Sequence, residues 1–228
     1  MVFADSLIKK AQRKGLIFID PFHGDQLNPA SYDLTLHPVI RVSEMPAAFG
    51  DGEPVDLAAL KPNHTVEWVI DGDCGYYDLQ PGEFILGSTY EYVGIGDEVV
   101  ARVEGKSSLA RLGMAVHVTG GFIDPGFDGQ ITLEIVNLFP RALRIYPGMR
   151  IAQIAFQSVQ DQVERSYREL GSYQNQRGPT ESRYRVRRRN VPLIKCGTCS
   201  WVGTHVDARR IYPEKFRGCP MCTMGVGV

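Results

Sequence analysis

No apolar run in this 228-residue chain approaches the roughly 20 residues a membrane-spanning helix requires. The N-terminus lacks a signal-peptide pattern, and neither internal repeats nor low-complexity tracts occur. These absences exclude a solenoid and lead us to expect a soluble, cytoplasmic protein with no membrane partner. Excess charge is also missing. The formal net charge is −1, with 43% hydrophobic and 22% charged residues, which suits one sizeable globular domain with a small appendage. Phosphate-loop patterns fail as well. Gly105-Lys106-Ser107 resembles the end of a P-loop, but the earlier glycine falls at Val100. Gly94-Ile95-Gly96 would need a further glycine where Val99 stands.

The near-neutral total hides an asymmetry. From Arg183 onward there are ten Lys/Arg against two Asp/Glu, a balance of +8, which leaves −9 for the first 182 residues. Five of the seven positions from Arg183 to Arg189 are arginine. Two units with different partners are expected, 1–182 and 183–228, and the basic one suits contact with nucleic acid or another protein. Leu170 to Thr180, rich in Gly, Ser, Asn, Gln and Pro, reads as a flexible approach to that boundary.

Cys74 stands alone, whereas Cys196, Cys199, Cys219 and Cys222 form C-x2-C-x19-C-x2-C. That spacing reads as a zinc site rather than two disulfides. Zinc-dependent deaminases use H-x-E with P-C-x-x-C. Here His205-Val206-Asp207 lacks the glutamate, and Pro220 lies inside the cysteine pair. Four cysteines also close the coordination shell, so the zinc is expected to be structural and ribbon-like.

Strand signals dominate the larger unit. Asp5-Ser6-Leu7-Ile8 opens one short amphipathic helix that Gly15 stops. Segments 32–42, 83–89, 99–103, 114–119, 130–137, 142–146 and 150–156 are short, branched or aromatic, and divided by Gly, Pro, Asp and Asn. A mainly β fold, barrel or sandwich, follows.

Three stretches put polar groups among these strands. Ser107 to Gly113 reads as a helical turn capped by Ser107 or Ser108, with Leu109 and Leu112 inward and Gly113 as its end. Arg111 could then clamp a phosphate or a polar base edge. Alternation in Ile131-Thr132-Leu133-Glu134-Ile135-Val136 places Glu134 on one face with Thr132 and Val136. An exposed strand glutamate is the ordinary reading, and proton shuttling is the functional one. Asp124-Pro125-Gly126 is a turn whose flanking Phe122 and Phe127 would make an apolar platform for a nucleoside.

Taken in order, these motifs resemble the dCTP deaminase family of the trimeric dUTPase superfamily. They are Gly105 to Gly113, His117-Val118-Thr119, Phe122 to Phe127, Ile131 to Glu134, and Tyr146-Pro147-Gly148-Met149. Pro21-Phe22 with Pro29-Ala30-Ser31-Tyr32-Asp33-Leu34 resembles the family's N-terminal region, and Tyr173 to Thr180 its closing segment.

The resemblance implies a dUTPase-like distorted jelly-roll or β-barrel and a homotrimer with shared active sites. It also implies metal-independent deamination of dCTP to dUTP and ammonia. Glu134 would activate water, with Ser107 and Arg111 as the other catalytic groups. Lys106, Ser108, Ala110, Asp124, Thr132, Leu133, Tyr173 and Gln176 would bind the nucleotide, whose triphosphate would bring magnesium as its counter-ion. Alternatives are a bifunctional enzyme that continues to dUMP, a deaminase of dCMP, and a nucleotide-sensing protein that acts through its tail. Three departures stand out: Ser172 replaces the usual lysine, Gly120 replaces alanine, and Gly121 to Phe127 has the bifunctional form. The methyl lost at Gly120 would admit a substituted pyrimidine or alter feedback inhibition by dTTP.

Overall fold

The structure is a computed structural model that describes residues 1–43, 65–70, 75–184, 194–195 and 202–203. The chain divides into two compact units, Met1–Arg183 and Tyr184–Val228. In the second unit the described residues form one antiparallel pair, Ile194–Lys195 with Val202–Gly203. The cysteines Cys196, Cys199, Cys219 and Cys222, and with them the zinc-ribbon expectation, lie outside the described residues.

The first unit opens with helix α1 (Asp5–Arg13), whose Ile8 and Ala11 are buried. Its N-cap is Ala4, without a side-chain cap, while Asp5 sits in the first turn and accepts the Ser6 N–H. Strands β1 (Ile17–Asp20), β2 (Leu27–Asn28), β3 (Ser31–Thr35), β4 (Val39–Ser43), β5 (Thr65–Val69) and β6 (Tyr77–Leu79) follow. The long β7 (Phe84–Ile95) leads through β8 (Val99–Gly105) to helix α2 (Ser107–Ala110). Then come β9 (Met114–Ala115), β10 (Phe122–Ile123), β11 (Asp128–Asn137), β12 (Leu143–Ile145), β13 (Arg150–Ser158) and helix α3 (Tyr167–Leu170).

Two antiparallel sheets carry most of these strands. One runs β5-β4-β7-β11-β9, with β1 also on β7, and the other runs β10-β8-β13-β3-β2. The expected strand 32–42 divides at His37-Pro38 into β3 and β4, which lie in different sheets. Proline, lacking an N–H, suits that break better than a strand interior. Among the described residues the sheets do not close into a barrel: β5 and β9 end one, β10 and β2 the other. The barrel form of the expectation is therefore replaced by two sheets over a common core. No helix among the described residues is long and apolar enough to cross a membrane.

The core joins both sheets in one cluster. Ile85, Leu133 and Ile135 from the first meet Leu34, Ile154 and Phe156 from the second. Burial of such side chains contributes about 1.5–3 kcal/mol each. Tyr32 is fully buried, stacked on Phe22 at 5.0 Å between ring centroids, and its hydroxyl accepts the His23 N–H at 2.8 Å. Burial pushes its pKa up to about 12.

His37 marks the crossing between sheets. Its Nδ1 accepts the Val39 N–H at 3.2 Å, and burial holds its pKa below the ordinary 6.5. The folded state therefore resists a proton that the unfolded chain accepts. His37 should cost no stability above pH 6.5 and should lower stability as pH falls below that value. Urea unfolding between pH 7.5 and 5.5 checks this: His37→Gln should flatten the fall, and an unchanged pH slope would refute the assignment.

Candidate active site

Strand pairing decides which side chains share the site. In the β7–β11 register Thr132 lies opposite Ser88 and Glu134 opposite Leu86, while β4 sets Arg41 opposite Leu86. Directly opposed residues point to one face, so Arg41, Leu86 and Glu134 form a row beside Ser88 and Thr132. Ile131, Leu133 and Ile135 point into the core. Leu133 is fully buried, so only its backbone is placed to meet a ligand. Glu134 is half-buried, and its Oε2 accepts the Val118 N–H at 2.8 Å.

Helix α2 is as short as its sequence, but its cap differs from the expectation. Lys106 is the N-cap, and neither serine makes a side-chain capping bond. Ser107 Oγ instead receives Arg111 Nε at 3.4 Å, a long contact on an exposed surface. Leu109 packs against the core, whereas Leu112 is exposed rather than inward. Gly113 does end the turn: at φ +80° an added Cβ would lie 2.9 Å from Phe139 N. Ser107, Ser108, Ala110 and Arg111 are all exposed. Among the described residues no hydrogen bond or ion pair joins Ser107 or Arg111 to Glu134.

The Asp124 turn is clamped from below. Phe127 N–H closes it on Asp124 O at 3.2 Å, Tyr167 N–H reaches Pro125 O at 3.0 Å, and Gln174 Nε2 reaches Gly126 O at 3.0 Å. Asp124 itself is exposed. The expected aromatic platform is half present. Phe122 is exposed beneath Arg102, but Phe127 is a core residue against Tyr167.

From this turn the closing segment runs back along β11. Asn175 N–H bonds Asp128 O at 2.7 Å, Gln130 N–H bonds Gln176 O at 3.1 Å, and Gly178 N–H bonds Gln130 Oε1 at 2.6 Å. Gln176 is buried, with its amide on Gln130 O and its carbonyl receiving Thr180 Oγ1 at 2.7 Å. Its side chain thus ties the closing segment to β11. Thr180 N–H then reaches Thr132 Oγ1 at 3.2 Å, and Glu181 pairs with Arg41 at 3.3 Å. The segment therefore crosses the sheet face that bears Glu134. Tyr173 OH accepts the Arg183 N–H at 2.9 Å, and the Arg183 guanidinium lies over its ring and bonds Ser172 O. A cation thus stands beside Ser172.

Sequence reasoning missed a polar cluster around Asp33. This carboxylate, 3% exposed, receives Lys106 Nζ at 2.6 Å and Asn28 Nδ2 at 2.8 Å, with Arg150 at 3.8 Å. Gln153 links Ser31 to Gly105 O close by. The available signal was an aspartate in the apolar run Tyr32-Asp33-Leu34, since a buried carboxylate needs partners. Lys106 spends one donor on Asp33 and keeps two for another ligand. Magnesium favours one or two carboxylates with substrate phosphates and water. Among the described residues no group of three or more His, Cys, Asp or Glu could hold a metal. Both Asp33 oxygens already face donors, so these residues do not fit a protein-held magnesium.

Comparison with known proteins agrees with this ordering of motifs. A family model described as dCTP deaminase-like matches residues 2–159. A protein of Bifidobacterium adolescentis named "dCTP deaminase, dUMP-forming" is 41% identical over 192 residues, covering 80% of this chain and 94% of its own length. One of the same name from Streptomyces coelicolor is 42% identical over 189 residues, with 80% and 95% covered. The crystal structure of 2'-deoxycytidine 5'-triphosphate deaminase from Agrobacterium tumefaciens superposes with a TM-score of 0.51 at 21% identity. It covers 69% of this chain and 48% of that one, so this chain spans about half of that structure's length. That likeness shows the fold.

The Glu181–Arg41 pair is placed to latch the closing segment across the Glu134 face. Glu181→Gln should raise amide exchange at Gly178 and Thr180 about tenfold while leaving exchange in β13 unchanged. Equal protection in both proteins would show that the segment is held without the latch.

Proposed function

The chain belongs to the dCTP deaminase-like family, which makes it a hydrolase of the cytosine-nucleotide deaminase class, and from that premise we propose that it converts dCTP to dUMP. The observation that carries the reading is Glu134: a half-buried carboxylate anchored by the Val118 N–H, on a sheet face crossed by the closing segment. A carboxylate held in that way can take a proton from water. Hydroxide adds to C4 of cytosine, and the proton passes to N3. A second transfer to the exocyclic amine lets ammonia leave as the C4 carbonyl forms. Ser107 and Arg111 position the water and stabilise the developing charge.

The expectation that the reaction stops at dUTP is overturned by relatives at 41% and 42% identity, which are named dUMP-forming. On this reading a second water, beside Asp124 and the deoxyribose, cleaves between the α- and β-phosphates and releases pyrophosphate. Lys106 and Arg183 supply positive charge for the phosphates, and magnesium comes as the counter-ion of the nucleotide. Within one chain Ser107 and Arg111 are exposed and make no bond to Glu134, which supports a homotrimer whose sites combine residues of neighbouring subunits. Work on the free nucleotide pool suits the cytoplasm. A structural zinc on Cys196, Cys199, Cys219 and Cys222 rests on their spacing, as does a protein or nucleic-acid contact on the arginine run.

Incubation with dCTP should yield ammonia, dUMP and pyrophosphate in equal amounts, without accumulation of dUTP. Glu134→Gln should lower ammonia release by roughly 10²–10⁴-fold while nucleotide binding persists. Accumulating dUTP would overturn the dUMP assignment, and undiminished ammonia release would remove Glu134 as the base.

A further inference from the structure

Asp33, Gln153 and Glu104 lie in one row across β3, β13 and β8, and directly opposed residues share a face. Alternation continued past the end of β8 brings Lys106 to that same face, two residues beyond Glu104. Lys106 is held at both ends. Gln153 Nε2 donates to the Gly105 carbonyl at 3.2 Å, and the Lys106 carbonyl accepts the Leu109 and Ala110 N–H groups at 2.9 Å each. At the far end of its flexible stem the ammonium meets Asp33 Oδ1 at 2.6 Å. The pair is lopsided. The Asp33 side chain is 4% exposed and the Lys106 side chain 23%, so a ligand arriving from solvent meets the ammonium and not the carboxylate. Asn28 Nδ2 fixes the same Oδ1 at 2.8 Å, and Arg150 Nη1 stands 3.8 Å from Oδ2. Arg150 also pairs with the exposed Asp25, which leaves Lys106 as the cation closest to Asp33.

We propose that Asp33 is a positioning residue for Lys106: the buried carboxylate takes one donor of the ammonium and so aims the other two at the phosphate chain of the nucleotide. The inference deepens the proposed function and rests on Lys106 as a phosphate contact. A free lysine samples many rotamers, and that freedom is lost when it closes on an anion. Asp33 has already selected one arrangement, immediately before the turn that carries Ser107 and Arg111. The carboxylate does this without reaching the ligand, because its own oxygens face Lys106, Asn28 and Arg150. Its contribution is therefore to nucleotide binding rather than to attack at C4, and it exists only while Lys106 is present.

The test is a double-mutant cycle in the full-length protein: Asp33→Asn, Lys106→Met and the two together, with KM and kcat for dCTP read by ammonia release. Asp33→Asn should raise KM about tenfold while kcat stays within about threefold. Lys106→Met should raise KM at least as much, and adding Asp33→Asn to it should change KM by less than about twofold. Equal KM penalties for Asp33→Asn with and without Lys106 would overturn the positioning role, because the aspartate would then act through the fold or another group. A wild-type KM in Asp33→Asn would overturn it too. Asn28→Ala is the second probe and decides the matter if Asp33→Asn does not fold. It frees one side of Oδ1 and leaves every charge in place, so KM should rise about threefold with Lys106 present and stay level in Lys106→Met. Equal rises in both backgrounds, or no rise in either, would contradict the proposal. A Lys106→Met protein with wild-type KM would locate the fault in the reading of Lys106 as a phosphate contact, and the positioning role would fall with it.

Discussion

The site depends on one irregularity in the pairing of β11 with β7. The register shifts between Gln130 and Thr132. There β11 advances by two residues while β7 passes from Tyr92 to Ser88, so two extra residues of β7 break the ladder, and an even shift leaves the alternation of faces intact. Beyond the shift Thr132 and Glu134 look out from the sheet while Ile131, Leu133 and Ile135 fill the core. Backbone groups freed at such a point need other partners. Gln130 Nε2 bonds the Thr89 and Tyr90 carbonyls at 3.0 and 3.2 Å, and Thr89 Oγ1 accepts the Ile131 N–H at 2.9 Å. Buried glutamine and threonine side chains thus do locally what the ladder does elsewhere.

The same irregularity anchors the closing segment. Gln130 Oε1 and carbonyl bond Gly178 and Gln176, and the exposed side of Thr132 receives Thr180. The strand that presents Glu134 therefore also carries the segment that passes over it. This couples the aspartate turn, clamped by Tyr167 and Gln174, to the Glu134 face through continuous chain. In the reaction proposed, with two hydrolytic steps at opposite ends of a nucleotide, such coupling would favour holding dUTP between the steps.

Much of this was legible in the sequence, and the failures have physical reasons. Alternation in β11 gave the correct face for Glu134, and the glycine at 113 marked a true left-handed stop. Ser107 was misread as a helix cap because a serine before an apolar turn has that pattern, whereas Lys106 takes the position and the hydroxyl turns to Arg111. Phe127 was misread as a platform because its aromatic character says nothing of which side of the turn it takes. The Asp33–Lys106 pair joins residues 73 positions apart, beyond any local pattern. Composition marked 170–180 as flexible, whereas the path of Tyr173 to Thr180 along β11 emerges only from hydrogen bonds between groups distant in sequence.

The central claim is that one protein adds water first to the cytosine ring and then to the phosphate chain, releasing dUMP. The most direct measurement is a single-turnover reaction with dCTP in H₂¹⁸O, with the nucleotide products resolved by mass. The account predicts dUMP that carries ¹⁸O at the C4 carbonyl, with a further ¹⁸O on either its phosphate or the released pyrophosphate. Labelled dUTP as the final product, or dUMP whose base lacks the label, would contradict it.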